Sequence, residues 1–260
     1  TKGHVDLLLG GPPSEGHSNF NNHTRRDDPR NVLYLVMPAA AVALQAKTVI
    51  VENVPGIIHD RRGVAQTVRR LFQNAGYLVE EKVIDVLRLG VPQTRKRHLL
   101  VASKYATPPI QVALECLERP GRTLEWAIGD LLDCVPASLF DSPPELSAEN
   151  RQRIQYLFDT NTYNLPNAIR PESHKNGHTY PSVYGRLKWH QPAGTITTGF
   201  VTPGRGRFIH PLRPRTLTAH EAARLQGFPD TFDFVLEDGS VPARRWRASM
   251  IGDAAPPVIG

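Results

Sequence analysis

The residues best suited to chemistry stand directly after short apolar runs. Glu52 ends the β-branched run 48–52, and Pro55-Gly56 follows it closely. A second apolar run, 5–9, leads into the loop Gly10-Gly11-Pro12-Pro13-Ser14. In an open α/β sheet, ligands bind at the carboxyl ends of the strands. The sequence therefore predicts that Glu52 and this glycine-proline loop both lie where catalytic groups sit, although a plain surface turn is the alternative for the loop alone.

A second group of polar side chains lies in the segment Pro92-Gln93-Thr94-Arg95-Lys96-Arg97. Alternate residues of an extended segment point to the same side, so Gln93, Arg95 and Arg97 are expected to share a face. Their N–H donors suit a base carbonyl, a carboxylate or a phosphate. The segment by itself leaves a solvated basic turn open as the alternative.

Local periodicity predicts the elements that position these residues. Apolar runs indicate strands at 5–9, 48–52, 77–85 and 97–103, and helical spacing indicates a helix over 64–75 that ends at Gly76. An alanine-rich helix is expected within 31–45, with a kink or a late start at Pro38. Shorter helices are expected at 123–132 and 147–158. Thr218-Ala219-His220-Glu221 is a capping box, so a further helix begins there and ends at Gly227.

The composition sets broad limits on the class of protein. With 260 residues, 40% hydrophobic and 22% charged, the chain is expected to form one large or two modest globular domains. No apolar run has the length of a membrane span, and the two cysteines, Cys116 and Cys134, fit no zinc motif. His174 and His178 also lack further ligands nearby, so no metal is expected. Cysteine usage favours a reducing, cytoplasmic location.

Basic residues interleaved with glycine and aromatic residues indicate a nucleic-acid partner. The formal charge of +6 permits a polyanionic ligand. Arg25 and Arg26 lie in the polar loop 18–31, and either a solvated loop or a phosphate contact fits them. Lys188, Arg205 and Arg207 belong to the segment 174–207, which is typical of a surface laid along a phosphate backbone.

Five blocks of sequence, taken in order, resemble the cytosine-C5 DNA methyltransferases. The blocks are GGPPSEGHS at 10–18, VENVPG at 51–56, VPQTRKR at 91–97, RTLTAHEAARLQGFPD at 215–230 and IGDAAPP at 251–257. The resemblance implies an α/β fold, part of the doubly wound mixed sheet of S-adenosylmethionine-dependent methyltransferases, with a smaller target-recognition domain. It implies a catalytic domain at 1–103 plus 247–260 and a target-recognition region at 104–246.

The resemblance also assigns roles to single residues. In the reaction that the resemblance implies, a cytosine is flipped out of duplex DNA, and S-adenosylmethionine donates a methyl group to the C5 carbon of this base. Glu52 would be the acid on the ring nitrogen and amino group, and Arg97 would bind the base carbonyl. Arg95 would brace the active-site loop, and Gln93 would support the recognition face. The donor contacts of the family fall on Pro13, Leu33, Asp253 and Ala255, with Asp253 in place of the usual Asn.

Two departures from the family pattern affect the expected activity. Ser14 stands where the family has its nucleophilic Cys, and a hydroxyl ionises far less readily than a thiol. This chain is therefore expected to be inactive as it stands, either through an introduced substitution or through natural loss. The family's donor-binding strand and glycine-rich loop precede this position, and only nine residues stand before Gly10. A missing amino-terminal segment or a partner chain is therefore expected to complete the sheet.

Two other functions fit the same residues. One is a non-catalytic DNA-binding or regulatory subunit of a split methyltransferase, and the other is an RNA cytosine methyltransferase, since that branch shares these blocks. No membrane association is expected for any of them.

Overall fold

The computed structural model describes residues 5–13, 29–136, 138–175 and 182–260. The chain divides into two compact units. Unit 1 comprises Thr1–Asp85 and Lys96–Glu118, and unit 2 comprises Val86–Arg95 and Arg119–Gly260. The predicted catalytic domain and target-recognition region were defined by function and not by compactness, and that division stays a prediction.

Unit 1 is built on a mixed four-stranded sheet with the strand order β1-β2-β4-β3. β1 runs parallel to β2, whereas β4 pairs antiparallel with both β2 and β3. This arrangement confirms the predicted α/β class with a mixed sheet. The strands are β1 (Leu7–Gly10), β2 (Thr48–Asn53), β3 (Leu78–Asp85) and β4 (Lys96–Ser103), and the helices are α1 (Val36–Ala43), α2 (Val64–Asn74) and α3 (Ile110–Leu117).

The helices of unit 1 follow from their apolar spacing. Val64, Val68 and Phe72 recur every four residues along α2 and are buried, as the periodicity predicts. The chain turns after α2 at Gly76, whose φ of 79° suits glycine. α1 starts late, after a 3₁₀ turn at Pro29–Leu35, and Pro38 lies in its first turn. A proline is tolerated there because those N–H groups have no intrahelical partner.

Unit 2 is helical with long irregular connections. Its main core joins α4 and α7 to the loop residues Leu187, Ile196 and Phe200, and a second cluster packs α5 against Tyr184 and Ile209. The helices are α4 (Leu124–Ile128), α5 (Ala148–Asp159), α6 (Glu172–Lys175), α7 (Ala219–Leu225) and α8 (Arg244–Gly252). None of the helices in the described ranges combines the length and apolar character that crossing a bilayer requires.

The predicted capping box at the start of α7 is present. The Thr218 hydroxyl accepts from the Glu221 N–H at 3.1 Å, and the Glu221 carboxylate accepts from the Thr218 N–H at 2.9 Å. Both side chains are buried, and Arg215 holds the carboxylate of Glu221 from the other side, with an Nη2–Oε1 distance of 2.6 Å.

We expect Thr218→Ala to lower the free energy of unfolding by about 1 kcal/mol, because a buried helix N-terminus loses its acceptor. Denaturant unfolding followed by circular dichroism measures the change. Thr218→Ser is the matched control, since it keeps the hydroxyl and loses only a methyl group. Equal stability of the Ala and Ser variants would show that the cap contributes nothing here.

Candidate active site

The glycine-proline loop lies against Glu52. Parallel pairing sets Gly10 beside Val51, so the loop after β1 and the end of β2 emerge at the same edge of the sheet. A β-carbon placed on Gly11 would stand 3.7 Å from Glu52 Oε2. The Glu52 carboxylate therefore lies beside the loop at Gly11. Ser14 itself, together with Arg25 and Arg26, lies outside the described residues.

Asn53 holds this loop in place. Its side-chain amide donates to the Pro12 carbonyl at 3.2 Å, and its carbonyl oxygen accepts from the Val54 N–H at 2.8 Å. Only 1% of Asn53 is exposed. Our sequence analysis gave this residue no role, although a buried-strand pattern that ends in Glu-Asn before Pro55 is a signal that could have found it.

Glu52 and Arg97 form an ion pair on one face of the sheet. The strand register sets Glu52 opposite Leu99, so Arg97, two residues along β4, is its diagonal neighbour on the same face. Arg97 Nε and Glu52 Oε1 are 2.5 Å apart. Burial lowers the pKa of Arg97, and the charge of Glu52 opposes that shift. About a quarter of the Glu52 side chain stays exposed, so the carboxylate is accessible at this edge with the Arg97 guanidinium beside it.

Close packing fixes the start of the loop. A β-carbon on Gly10 would clash with the Met37 thioether, so glycine at this position lets the Met37 side chain of α1 pack directly against the backbone. Pro13, the last described residue of the loop, is exposed. Leu33 is 41% exposed and precedes α1, with the exposed Val36 three residues further on.

Gln93 and Arg95 act together inside unit 2. Gln93 is fully buried, and its amide donates to the Leu225 carbonyl and to Gln226 Oε1, at 2.8 and 2.7 Å. Its carbonyl oxygen accepts from the Ile196 N–H. Arg95 donates to the Ile196 carbonyl at 2.9 Å and also approaches Gln226 Oε1 at 3.2 Å. These bonds show that Gln93 supports the packing of its segment against residues 196 and 225–226. A direct contact between Gln93 and nucleic acid stays a prediction.

Gln226 is a buried polar residue of unit 2 to which the sequence alone assigned no role. It is fully buried, and its amide nitrogen donates to the Ile251 carbonyl at 2.6 Å. Through Gln226, the segment that carries Gln93 and Arg95 is tied to the end of α8, where Arg95 Nη1 also reaches the Gly252 carbonyl at 3.5 Å. Gln226 lies inside the sequence block at 215–230, but no local pattern predicts that its side chain bonds to several distant segments.

The predicted DNA-contact residues of unit 2 differ in their surroundings. Arg205 and Lys188 are exposed, and Lys188 Nζ lies 5.6 Å from the centre of the Tyr163 ring. Arg207 is partly buried and donates to the Tyr163 and Arg186 carbonyls at 2.9 and 2.8 Å, so it braces the local backbone. Arg205 is therefore the more accessible candidate for a phosphate.

The remaining predicted donor contacts lie just after α8. Asp253 and Ala255 are both exposed, and the Asp253 N–H caps the helix by donating to the Ser249 carbonyl at 3.0 Å. An exposed carboxylate suits an ammonium or sulfonium charge, and the exposed apolar Leu33 suits the face of an adenine ring. In the described ranges no cluster of metal ligands is present.

Comparison with known proteins gives a consistent family match. The family model for C-5 cytosine-specific DNA methylase matches residues 1–259. The Type II methyltransferase M1.BsuMI of Bacillus subtilis is 44% identical over 253 residues, covering 97% of this chain and 58% of the relative. The chain therefore spans less than two thirds of that relative's length.

Solved structures with the same fold are more distant in sequence. One is an Escherichia coli protein described as a prophage-encoded DNA modification methyltransferase, with a TM-score of 0.61 and 22% identity, covering 98% of this chain and 76% of that one. Another is the Dnmt2 methyltransferase of S. pombe, with a TM-score of 0.60 and 15% identity, covering 98% and 74%. At these identities the likeness shows the fold alone.

Proposed function

The chain belongs to the C-5 cytosine-specific DNA methylase family, and from this premise we propose that it serves methyl transfer from S-adenosylmethionine to C5 of a cytosine flipped out of duplex DNA. The observation that carries the proposal is the Glu52–Arg97 pair, 2.5 Å apart beside the glycine-proline loop. Type II restriction-modification is the setting that the name of the Bacillus subtilis relative suggests. With Ser at position 14, the chain is proposed to be inactive as it stands.

Glu52 and Arg97 suit the edge of a cytosine. A carboxyl group both donates to a ring nitrogen and accepts from an adjacent amino group, so Glu52 recognises the two neighbouring groups of the base. Arg97 uses Nε for Glu52 and Nη1 for the Lys96 carbonyl at 3.0 Å, which leaves further N–H donors for a base carbonyl. Holding a proton at the ring nitrogen makes the ring electrophilic, which is the role we assign to Glu52.

On the family resemblance, Pro13, Leu33, Asp253 and Ala255 are each proposed to contact the methyl donor. S-adenosylmethionine would supply an activated methyl group. Leu33 offers an apolar surface for its ring, and Asp253 offers a carboxylate for a positive charge.

A further strand is proposed to pair with β1. Among the described residues β1 pairs only with β2, so its other edge presents unpaired backbone groups, and Leu7 and Leu9 are 48% and 59% exposed. The strand would come from a partner chain or from an additional segment of the same protein. The Bacillus subtilis relative is longer than the matched region, which covers 58% of it.

We expect duplex binding to fall steeply with salt, because every neutralised phosphate releases counterions. Arg205→Ala should reduce the slope of log K against log salt by about one, the amount expected for one lost phosphate contact. Fluorescence anisotropy of a labelled duplex measures it. Arg207→Ala is expected to reduce the slope too, but its contacts with backbone carbonyls make it the less clean test. Glu52→Gln should leave the slope unchanged, because a pocket carboxylate meets a base and not the backbone.

The flipping step tests the proposed function itself. Duplexes selected for binding from a randomised pool are resynthesised with 2-aminopurine in place of each cytosine in turn. The probe at the target position should brighten on binding, since flipping unstacks it and precedes any attack by residue 14. Strong binding with no bright position would favour a non-catalytic DNA-binding subunit. A preference for folded RNA over every duplex would favour the RNA methyltransferase and contradict our proposal.

A further inference from the structure

A cavity of about 610 Å³ opens in unit 2. It lies between the turn before Gln93, the start of α4 and the end of α7. None of the residues predicted to be catalytic, donor-binding or DNA-binding lines it. Its volume is within the range of sites that hold small organic ligands. The residues that line it include Gly90, Arg122, Trp126, Asp130, Phe228 and Asp230.

Arg122 is the feature of this cavity that points to an anion. Its guanidinium carbon lies 3.7 Å from the centre of the Trp126 ring, so the two groups stack. Gly90 is also close, since a β-carbon there would come within 3.7 Å of the same carbon. In the described ranges the guanidinium forms no ion pair or hydrogen bond. An arginine that stacks on a ring and keeps its planar donors unused suits a phosphate or carboxylate, which accepts two parallel N–H bonds.

Arg224, by contrast, is already neutralised. It donates to Asp130 Oδ1 at 2.5 Å and to both oxygens of Asp230, at 2.8 and 2.6 Å. These bonds lower the pKa of Asp130, and they hold the pKa of Asp230 near 2, so both carboxylates are charged at neutral pH. Their side chains are 63% and 51% exposed. Asp230 Oδ1 also lies 3.1 Å from His220 Nε2, and the remaining exposed oxygen surface of the two carboxylates suits N–H or O–H donors of a ligand.

The apolar part of the cavity suits a flat ring. Trp126 is 57% exposed, and Phe228 lies on the wall beyond the Arg224 cluster. Phe228 is fixed by ring contacts with Phe232 and Phe234, at centroid distances of 4.8 and 5.2 Å. Aromatic faces of this kind stack nucleobases with little dependence on which base is present.

We propose that this cavity binds a nucleoside monophosphate unit. The phosphate bonds to Arg122, and the base packs on the aromatic surface of Trp126 and Phe228. Amino or hydroxyl groups of the base or sugar donate to Asp130 and Asp230. The unit is either a free nucleotide or the 5′-phosphorylated end of a single strand, which present the same chemistry.

The test is a titration of the intact chain with guanosine monophosphate, followed by tryptophan fluorescence. A guanine probe is chosen because the proposed methyl donor carries adenosine. Saturable quenching is expected. Arg122→Gln should weaken monophosphate binding about tenfold or more, the cost of a lost charge-assisted bond, and change guanosine binding far less. Trp126→Ala should weaken both ligands and remove most of the quenching.

Arg245→Gln is the matched control, since Arg245 also lies over a tryptophan, Trp246, but outside the cavity. It should leave binding unchanged. Arg122→Lys keeps the charge without the planar fork and should fall between the parent and Arg122→Gln. A thermal melt of each variant confirms that it is folded.

Three outcomes would overturn the proposal. The first is no saturation by guanosine monophosphate, and the second is that Arg245→Gln weakens binding as much as Arg122→Gln does. The third is that inorganic phosphate displaces the bound nucleotide at the same concentration as the nucleotide itself does. A 5′-phosphorylated oligonucleotide separates the two sources. Displacement of the nucleotide by it assigns the cavity to a strand end, and failure to displace assigns it to a free nucleotide.

Discussion

Replacing Ser14 with Cys is expected to raise methyl transfer to duplex DNA by on the order of 10³-fold or more, the scale on which a lost nucleophile usually costs an enzyme. A thiol with a pKa near 8.5 is readily converted to a thiolate by a neighbouring positive field. A serine hydroxyl needs an adjacent general base instead. Within the described residues, Glu52 is a carboxylate beside the loop, but it is paired with Arg97 and is assigned to the base ring.

The measurement is incorporation of a tritiated methyl group from S-adenosylmethionine into duplex DNA. The variant is tested in a protein that also carries the donor-binding segment that the family resemblance implies. Ser14→Ala is the matched control, because it removes the hydroxyl without supplying a thiol and should stay as inactive as the parent. A folded Cys variant that binds both duplex and donor, yet transfers no more methyl than the Ala variant, would contradict the assignment of position 14.

Local pattern was sufficient to predict the four strands, α2 and the Glu52 edge, but not α3, α6 or α8. β2 and α2 were found because a β-branched run and four-residue spacing depend only on neighbours in sequence, and Gly76 marks its turn by itself. The diagonal pairing of Glu52 with Arg97 needed more than pattern, because it follows from the register between strands that are over forty residues apart. The family resemblance assigned both residues to the same base and did not predict that they pair with each other.

Long-range polar contacts could not be predicted in this way. Gln226 bonds to Gln93, 133 residues away, and nothing in its helical surroundings distinguishes it from a solvated glutamine. Arg207 shows the converse difficulty, because the same N–H donors suit a phosphate and a backbone carbonyl, and sequence composition cannot tell them apart. The cavity beside Arg122 is lined in part by irregular segments, for which periodicity carries no information.

Glu52→Gln, made together with Ser14→Cys, is expected to lower methyl transfer by about 10²- to 10⁴-fold relative to Ser14→Cys alone, the usual contribution of a positioned acid. The amide keeps the size of the side chain and still offers hydrogen bonds, but it cannot supply a proton to the ring nitrogen. Binding of duplex DNA and its salt slope should stay the same, since the backbone contacts are elsewhere. The loss should therefore appear in the transfer step and not in the affinity.

Glu81→Gln in the same background separates this chemistry from simple loss of an ion pair. Glu81 also lies on the sheet of unit 1 and pairs with an arginine, Arg69, at 2.9 Å, and it further contacts His98 at 3.2 Å. Both variants remove a carboxylate that is paired with a partly buried cation, so both should lower the melting temperature. Methyl transfer is measured at a temperature where both variants are folded. There, only Glu52→Gln should lower the rate of transfer by more than its loss of stability explains. Equal losses in the two variants would mean that Glu52 merely holds Arg97 in place, and its role as the acid on the base would be wrong.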